Sequence, residues 1–417
     1  MIELATPTAP RPALDERAIL RIGLAISVAY LLAAMGVALL SAPTIPWSTL
    51  HLALAGASMV AIGTFMPHFG VTLAGAAPSS ATLRLAGVLL LASGAGFVVA
   101  GVAAGPTWLA FLGAAAIWAG LVVTAWTTFV PARNPLARRH PLAQIAYGVA
   151  LAEVAVGIGL PVLLLAGWGP VAASWPGFKA AHVWLNLFGF VSVTIVATLV
   201  YLYPTIAGAR IRMHPSLLVM VSGTVIGAPL AAAGSVLAVM PLAAIGAGAA
   251  IAGGVGQLVY AVEILQRRAG WTTDLAWHRL TLGHITAGMG WYLAALVAVL
   301  VGILRDGPAP DGWALGAVAL PLVAGWAVQV LIGTASHLLP AMVTTSPAVR
   351  GAQRVMLGRA ASVRLVAWNA GVLLAWFGLS SGAGGIGLVG MGLLGLSIAV
   401  AMLRLARAIF IGGMIHA

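Results

Sequence analysis

The chain has 417 residues, of which 62% are hydrophobic and only 7% are charged, and its mean hydropathy is +1.08. This composition excludes a soluble domain of such length and predicts an integral membrane protein, with the lipid bilayer as its main partner. Cysteine is absent, which excludes disulfides, thiolate metal sites and iron–sulfur clusters. The net charge of +12 lies at helix ends, so we do not expect nucleic acid as a partner.

Twelve apolar stretches are long enough to cross a bilayer as helices. The connections between them are short, which leaves no room for a domain outside the membrane. We predict an all-α polytopic protein with a single transmembrane domain at 19–408, a cytoplasmic N-terminal tail at 1–18 and a cytoplasmic C-terminal tail at 409–417. We number the stretches span 1 to span 12, with predicted bounds 19–41, 48–74, 83–104, 107–130, 142–167, 178–208, 215–238, 240–265, 276–304, 312–344, 361–381 and 384–408.

The basic residues predict how the spans are oriented. With the N-terminus in the cytoplasm, all 20 Lys and Arg residues except Lys179 and Arg305 lie at cytoplasmic ends. Five tryptophans fall at the outer ends, as in an interfacial aromatic belt: Trp47, Trp108, Trp168, Trp175 and Trp313. The pattern predicts a multi-pass protein of the cytoplasmic (inner or plasma) membrane with both termini in the cytoplasm.

Spans 2, 6 and 10 carry a pattern of Gly, Thr and Pro that predicts an internal repeat. Gly189, Thr198 and Pro204 in span 6 have the same spacing as the three residues Gly325, Thr334 and Pro340 in span 10, and span 2 has Gly63, Thr64 and Pro67. The pattern predicts three parallel four-span repeats, namely spans 1–4, 5–8 and 9–12, with spans 2, 6 and 10 in equivalent places. The alternative is a chance match, because these residues are common in membrane helices.

Five histidines lie within the predicted spans, at two depths. His51 and His182 lie roughly 6 Å below the outer boundary, at 1.5 Å per helical residue. On the same scale His68, His284 and His337 lie roughly 10 Å from the cytoplasmic boundary. Imidazole is the commonest metal ligand left to a chain without cysteine, so all five are candidate ligands of haem iron or a metal ion. The alternative is that each histidine bonds to a neighbouring helix and holds the bundle together.

Three other polar residues are candidates for supporting roles. Glu153 is the only carboxylate well inside a predicted span, and Tyr147 lies six residues before it. We interpret Glu153 as a proton-relay group or as the acceptor of a histidine N–H; the alternative is a protonated side chain bonded to a backbone carbonyl. Asn186, one turn after His182, is a candidate to hydrogen-bond that histidine or its ligand.

Two stretches resemble a known superfamily. HVWLNLFGFVSVTIVATLVYLYP, which begins at His182, resembles the sixth helix of the main subunits of cbb-type haem–copper oxidases and nitric oxide reductases. WSTLHLALAGASMVAIGTFMPHF resembles their second helix, and the resemblance implies that His51 carries a haem. The stretch at His182 also resembles the NnrS family, with Trp184 in place of a second histidine, and RLTLGHITAG around His284 resembles a later NnrS motif. Twelve spans, a cytoplasmic N-terminus and three four-helix repeats are the architecture that this resemblance implies.

The chain also departs from the oxidase pattern. An oxidase has a His-His pair on span 7, where this chain has only His214 at the cytoplasmic end, and two histidines near the outer side of span 10, where it has only His337. The usual dinuclear haem–copper centre is therefore incomplete, and whether the protein is an oxidoreductase is left open.

The sequence favours a divergent relative of this superfamily that binds haem, copper or both. Its expected role is nitrogen-oxide or copper handling, or electron transfer to a redox partner protein. Two alternatives stay open: a twelve-span secondary transporter, and a structural or assembly subunit without a cofactor.

Overall fold

The computed structural model describes residues 15–40, 45–103, 105–133, 141–210, 213–268, 270–309 and 318–414. Over these ranges all regular secondary structure is helical, and 12 helices are long and apolar enough to cross a membrane. The spans are Glu16–Ala38, Pro46–Ala74, Ala81–Ala103, Thr107–Phe129, Pro141–Leu165, Trp175–Ala207, Pro215–Val236, Met240–Gln266, Leu275–Asp306, Leu320–Met342, Ala361–Ser381 and Gly384–Phe410. The prediction of an all-α protein with twelve spans is confirmed. The predicted start of span 10, including Trp313, and residues 1–14 of the predicted tail lie outside the described residues.

The boundaries between the bundle and both predicted tails differ from the prediction. Span 1 begins at Glu16 rather than residue 19, because the Asp15 carboxylate accepts a hydrogen bond from the backbone N–H of Ala18 at 2.7 Å and caps the helix. The last helix continues past residue 408 to Met414. Both predicted tails are therefore helical where they join the bundle.

The connection between spans 10 and 11 contains a helix that we did not predict. It runs over Pro347–Gly358, and we refer to it as the connecting helix. Its N-cap, Ser346, accepts a hydrogen bond from the backbone N–H of Val349 at 3.4 Å. Its sequence, PAVRGAQRVMLG, is too short and too polar to cross a membrane, so hydropathy alone does not reveal it.

Spans 2, 6 and 10 are the central helices of the bundle. In the most apolar stretch of each, 61%, 78% and 72% of the residues are buried, against 50% or less in every other span. An apolar cavity of about 80 Å³ lies between these three spans, and its lining includes Ser58, Thr198 and Thr334. The two threonines of the Gly–Thr–Pro pattern in spans 6 and 10 therefore line the same cavity.

Each central span contains a π-helical segment, and the described residues contain no others. The three segments are Leu52–Ser58, Trp184–Val191 and Leu320–Ala327. A π-helix is rare because its wider turn packs less well, and where it occurs it often marks a functional site. In spans 2 and 6 a serine at the end of the segment donates from its hydroxyl to the backbone carbonyl five residues earlier. In span 2 Ser58 donates to Ala53 at 3.0 Å, and in span 6 Ser192 donates to Leu187 at 2.8 Å.

A glycine in each π-helical segment receives a large side chain from the span before it. A Cβ at any of these glycines would collide with that side chain, so only glycine allows the close approach. The three pairs are Gly56 with Tyr30, Gly189 with Glu153, and Gly325 with Trp291. This shared packing is in keeping with three equivalent repeats, whose superposition stays a prediction.

Candidate metal centre

The structure brings together the two histidines that the sequence placed near the outer boundary. His51 is the residue before the π-helical segment of span 2, and His182 lies two residues before that of span 6. Their ring centroids are 6.3 Å apart, and the ring planes are 16° from parallel. Two distant parts of the sequence thus each place an imidazole just before a π-helical segment of a central span.

Both rings are held in the same way through Nδ1. The Nδ1 of His51 lies 2.8 Å from the carbonyl oxygen of Trp47, and the Nδ1 of His182 lies 2.8 Å from that of Gly157. A carbonyl oxygen only accepts, so in each neutral ring Nδ1 carries the proton and Nε2 keeps a free lone pair. This arrangement is typical of metal-binding histidines, whose second nitrogen is oriented by a backbone or carboxylate acceptor.

Neighbouring side chains set the position of each ring. The indole of Trp47 stacks on His51 with centroids 4.0 Å apart and planes 25° from parallel. Asn186 donates from Nδ2 to the carbonyl oxygen of His182 at 2.7 Å, and its side chain packs directly on Gly157 of span 5. Asn186 thus bonds to the backbone of His182 rather than to its imidazole, and its role in supporting a ligand stays a prediction. The contact at 3.1 Å between Asn186 Nδ2 and His182 Nδ1 joins two donors and is therefore not a hydrogen bond in this tautomer.

Two of the three inner histidines pack against different tryptophans. His284 in span 9 is 1% exposed, and its ring meets Trp368 edge-on with centroids 5.3 Å apart. His337 in span 10 stacks on Trp277, with centroids 4.8 Å apart and planes 12° from parallel. The Nδ1 atoms of both histidines are buried without a hydrogen-bond partner among the described residues.

The third inner histidine, His68, belongs to an ion cluster formed with spans 1 and 3. The Nδ1 of His68 lies 2.8 Å from Oε1 of Glu16, and Oε2 of the same carboxylate pairs with Arg84. These partners come from spans 1 and 3, whereas the ring of His284 contacts span 11 and the ring of His337 contacts span 9. The contacts of His68 are those of a charge cluster that joins three helices.

Glu153 is buried in the bundle against Gly189, and neither carboxylate oxygen has a hydrogen-bond partner among the described residues. The acceptor for His182 is the carbonyl of Gly157, one turn along span 5 from Glu153, rather than the Glu153 carboxylate. Tyr147, on the same span, contacts the hydroxyl of Thr198 at 2.9 Å and so joins spans 5 and 6. Tyr147 is therefore hydrogen-bonded to Thr198, which lines the cavity between the central spans. Glu153 is a buried acid without a hydrogen-bond partner among the described residues.

The described residues hold no group of three or more His, Cys, Asp or Glu side chains placed to bind one metal ion. The pair of His51 and His182 brings together two candidate ligands. Sequence reasoning missed two of its parts, Trp47 and Gly157. The spacing of Trp47, one turn before His51, is visible in the sequence, whereas Gly157 comes from another span and carries no local signal.

Comparison with protein-family models gives no match to this chain, and comparison with curated proteins gives none either.

Proposed function

We propose that the protein binds a copper ion between His51 and His182 and serves in copper handling or electron transfer within the membrane. The observation that carries this proposal is the pairing of two oriented imidazoles from separate central spans, with ring centroids 6.3 Å apart. Two rings that bind one ion through nitrogen, each at roughly 2 Å, have centroids about 6 Å apart.

The donor set favours copper among the common metal ions. Neutral imidazole suits copper, zinc, iron and nickel, and affinity for divalent first-row ions is greatest for copper. Zinc centres and non-haem iron centres in proteins ordinarily use three or more protein ligands. Cu(I) is stable with two nitrogen ligands, so a two-histidine centre without a carboxylate fits Cu(I) best. When bound, the ion supplies a one-electron redox couple.

Helix association accounts for the hydrogen bond of only one of the two rings. The bond from His182 to Gly157 joins span 6 to span 5, as a purely structural histidine would do. The bond from His51 to Trp47 stays within span 2 and joins no helices. Because the Nε2 atoms of both rings make no hydrogen bond to the described residues, the two rings keep lone pairs available for a ligand.

The test is a copper-binding measurement on the purified full-length chain in detergent. The protein is dialysed against Cu(I) held in a competing chelator, and bound copper is determined by mass spectrometry of the digested sample. We expect one copper ion per chain, and at least about tenfold weaker binding in His51→Ala and in His182→Ala, as for the loss of a metal-site residue. His214→Ala removes a histidine at the other end of the bundle and serves as the matched control.

Two results would overturn the proposal. Copper binding that is equal in all three variants would leave His51 and His182 with a structural role. A Soret band in the purified protein that disappears in His51→Ala or His182→Ala would assign haem iron to the pair instead; the resemblance to the oxidase family implies a haem at His51.

A further inference from the structure

A second cavity lies at the end of the bundle where the odd-numbered spans begin. The residues that line it come from later in the sequence than His51 and His182. It has a volume of about 560 Å³ and opens between the connecting helix and the first turns of spans 9 and 11. Its lining includes six polar or aromatic residues: Asp274, Trp277, Arg279, Arg354, Arg359 and Ser362. We refer to it as the arginine pocket.

The arginine pocket has an excess of positive charge. It contains three guanidinium groups and one carboxylate. Arg354 is already paired, because its Nη1 lies 3.1 Å from Asp274 Oδ2 and its guanidinium lies 4.7 Å from the ring centroid of Trp277. Two exposed arginines therefore have no acid to neutralise them among the described residues: Arg279, which donates to the hydroxyl of Ser362 at 3.3 Å, and Arg359.

The wall that carries Arg359 is firmly held. Arg364 donates to the carbonyl of Leu357 at 2.7 Å, and Arg404 donates to the carbonyls of Met356 at 3.0 Å and Arg359 at 2.7 Å. These bonds satisfy carbonyl groups at the C-terminal end of the connecting helix, which would otherwise lack partners. The backbone of Arg359 is thus fixed, while its own guanidinium makes no hydrogen bond to the described residues.

The rim of the arginine pocket is apolar. Val355 on the connecting helix and Val363 at the start of span 11 both line the pocket, and each side chain is 70% exposed. Val366, one turn further along span 11, is 69% exposed. A free anion gains nothing from these aliphatic side chains, whereas the acyl chains of a lipid would cover them. Basic pockets between membrane helices bind anionic lipid headgroups. The arginines of this pocket and its apolar rim together fit such a lipid.

We propose that the arginine pocket binds the headgroup of an anionic phospholipid. Arg279 and Arg359 contact the phosphate, and Val355, Val363 and Val366 contact the acyl chains. The pairing of Arg354 with Asp274 keeps one wall of the pocket in place. This site is separate from the proposed copper centre and does not depend on it.

The experiment uses the purified full-length protein in a neutral detergent, with short-chain phosphatidylglycerol as the probe. Bound lipid is counted by native mass spectrometry during a titration, in parallel with phosphatidylcholine of the same chain length and with inorganic phosphate. The test variant is the double substitution Arg279→Gln and Arg359→Gln. The control is Arg133→Gln with Arg267→Gln, which removes the same charge from exposed arginines at the same end of the bundle but outside the pocket.

We expect saturable binding of one phosphatidylglycerol to the native chain and to the control, and at least about tenfold weaker binding to the test variant. The single variant Arg359→Gln keeps the test decisive if the double variant does not fold, because the Arg359 side chain holds no structural bond in the described residues. Equal binding of phosphatidylcholine, or unchanged phosphatidylglycerol binding in Arg359→Gln, would overturn the proposal. Binding of inorganic phosphate that prevents phosphatidylglycerol binding would assign the site to a free anion instead.

Discussion

The imidazole of His337 stacks on the indole of Trp277, with ring centroids 4.8 Å apart and planes 12° from parallel. The same indole donates from Nε1 to the carbonyl oxygen of Ser336 at 2.8 Å, which joins span 9 to span 10 a second time. Arg354 of the connecting helix contributes the positive charge over Trp277. His337 therefore belongs to the contact between two spans, and it stacks on a residue that lines the arginine pocket.

From this stack we predict that an aromatic ring, rather than a ligand nitrogen, is required at residue 337. His337→Phe should retain the native thermal midpoint in detergent, whereas His337→Ala should lose about 1 kcal/mol of stability, the typical contribution of an aromatic pair. Copper binding should be unchanged in both variants. A loss of bound metal in His337→Phe would show that the ring nitrogen is a ligand after all.

The close packing of Asn186 on Gly157 predicts a strong effect of a single methyl group. Gly157→Ala places a Cβ within the volume of the Asn186 side chain, and such overpacking costs about 1–3 kcal/mol. Because Gly157 also holds His182, copper affinity should fall in the same variant. Combining Gly157→Ala with Asn186→Ala should recover most of the thermal stability. If the double variant is no more stable than Gly157→Ala, the strain has another source.

We predict that replacing Glu153 by an apolar residue stabilises the protein. Its carboxylate oxygens are buried without hydrogen-bond partners in the described residues, and such burial costs about 1–3 kcal/mol in proteins. Glu153→Met keeps a similar length and removes the polar atoms, so the thermal midpoint in detergent should rise. Glu153→Gln, which keeps polar atoms in the same place, is the matched control and should not raise it. A less stable Glu153→Met would indicate that the acid has a bound partner such as water.

In the cluster of Glu16, Arg84 and His68, we predict that loss of the Glu16 carboxylate destabilises the protein more than loss of the His68 imidazole. The Arg84 side chain is only 2% exposed, and Glu16 is the acid that compensates it. Glu16→Gln leaves that charge buried without an acid and should cost about 3 kcal/mol, the low end for a broken buried pair, because Glu16 itself is 32% exposed. His68→Gln should cost less, since the pair of Glu16 and Arg84 remains. Equal losses of stability in the two variants, measured by thermal unfolding, would contradict this ranking.

The number and order of the spans were determined by the sequence alone. Crossing a bilayer requires about 20 consecutive apolar residues, and this condition is local, so each span can be recognised without knowing its neighbours. The depth of each histidine follows in the same way from its distance along a helix. His51 and His182 were therefore predicted at equal depth, and Asn186 was predicted beside His182.

Only the tertiary structure decided which polar groups meet. The direction of a side chain depends on how its helix is rotated, and in spans 2 and 6 the π-helical segments change that rotation without a sequence rule that identifies them. The carbonyl of Gly157 became the partner of His182 because spans 5 and 6 pack closely, although Glu153 on the same span was the better candidate by chemistry. His284 and His337 were predicted at equal depth, but they share no partner, because the ring of His284 packs on Trp368 and that of His337 packs on Trp277. The connecting helix and its arginine pocket likewise depend on contacts among spans 9, 11 and 12, which no single stretch of sequence contains.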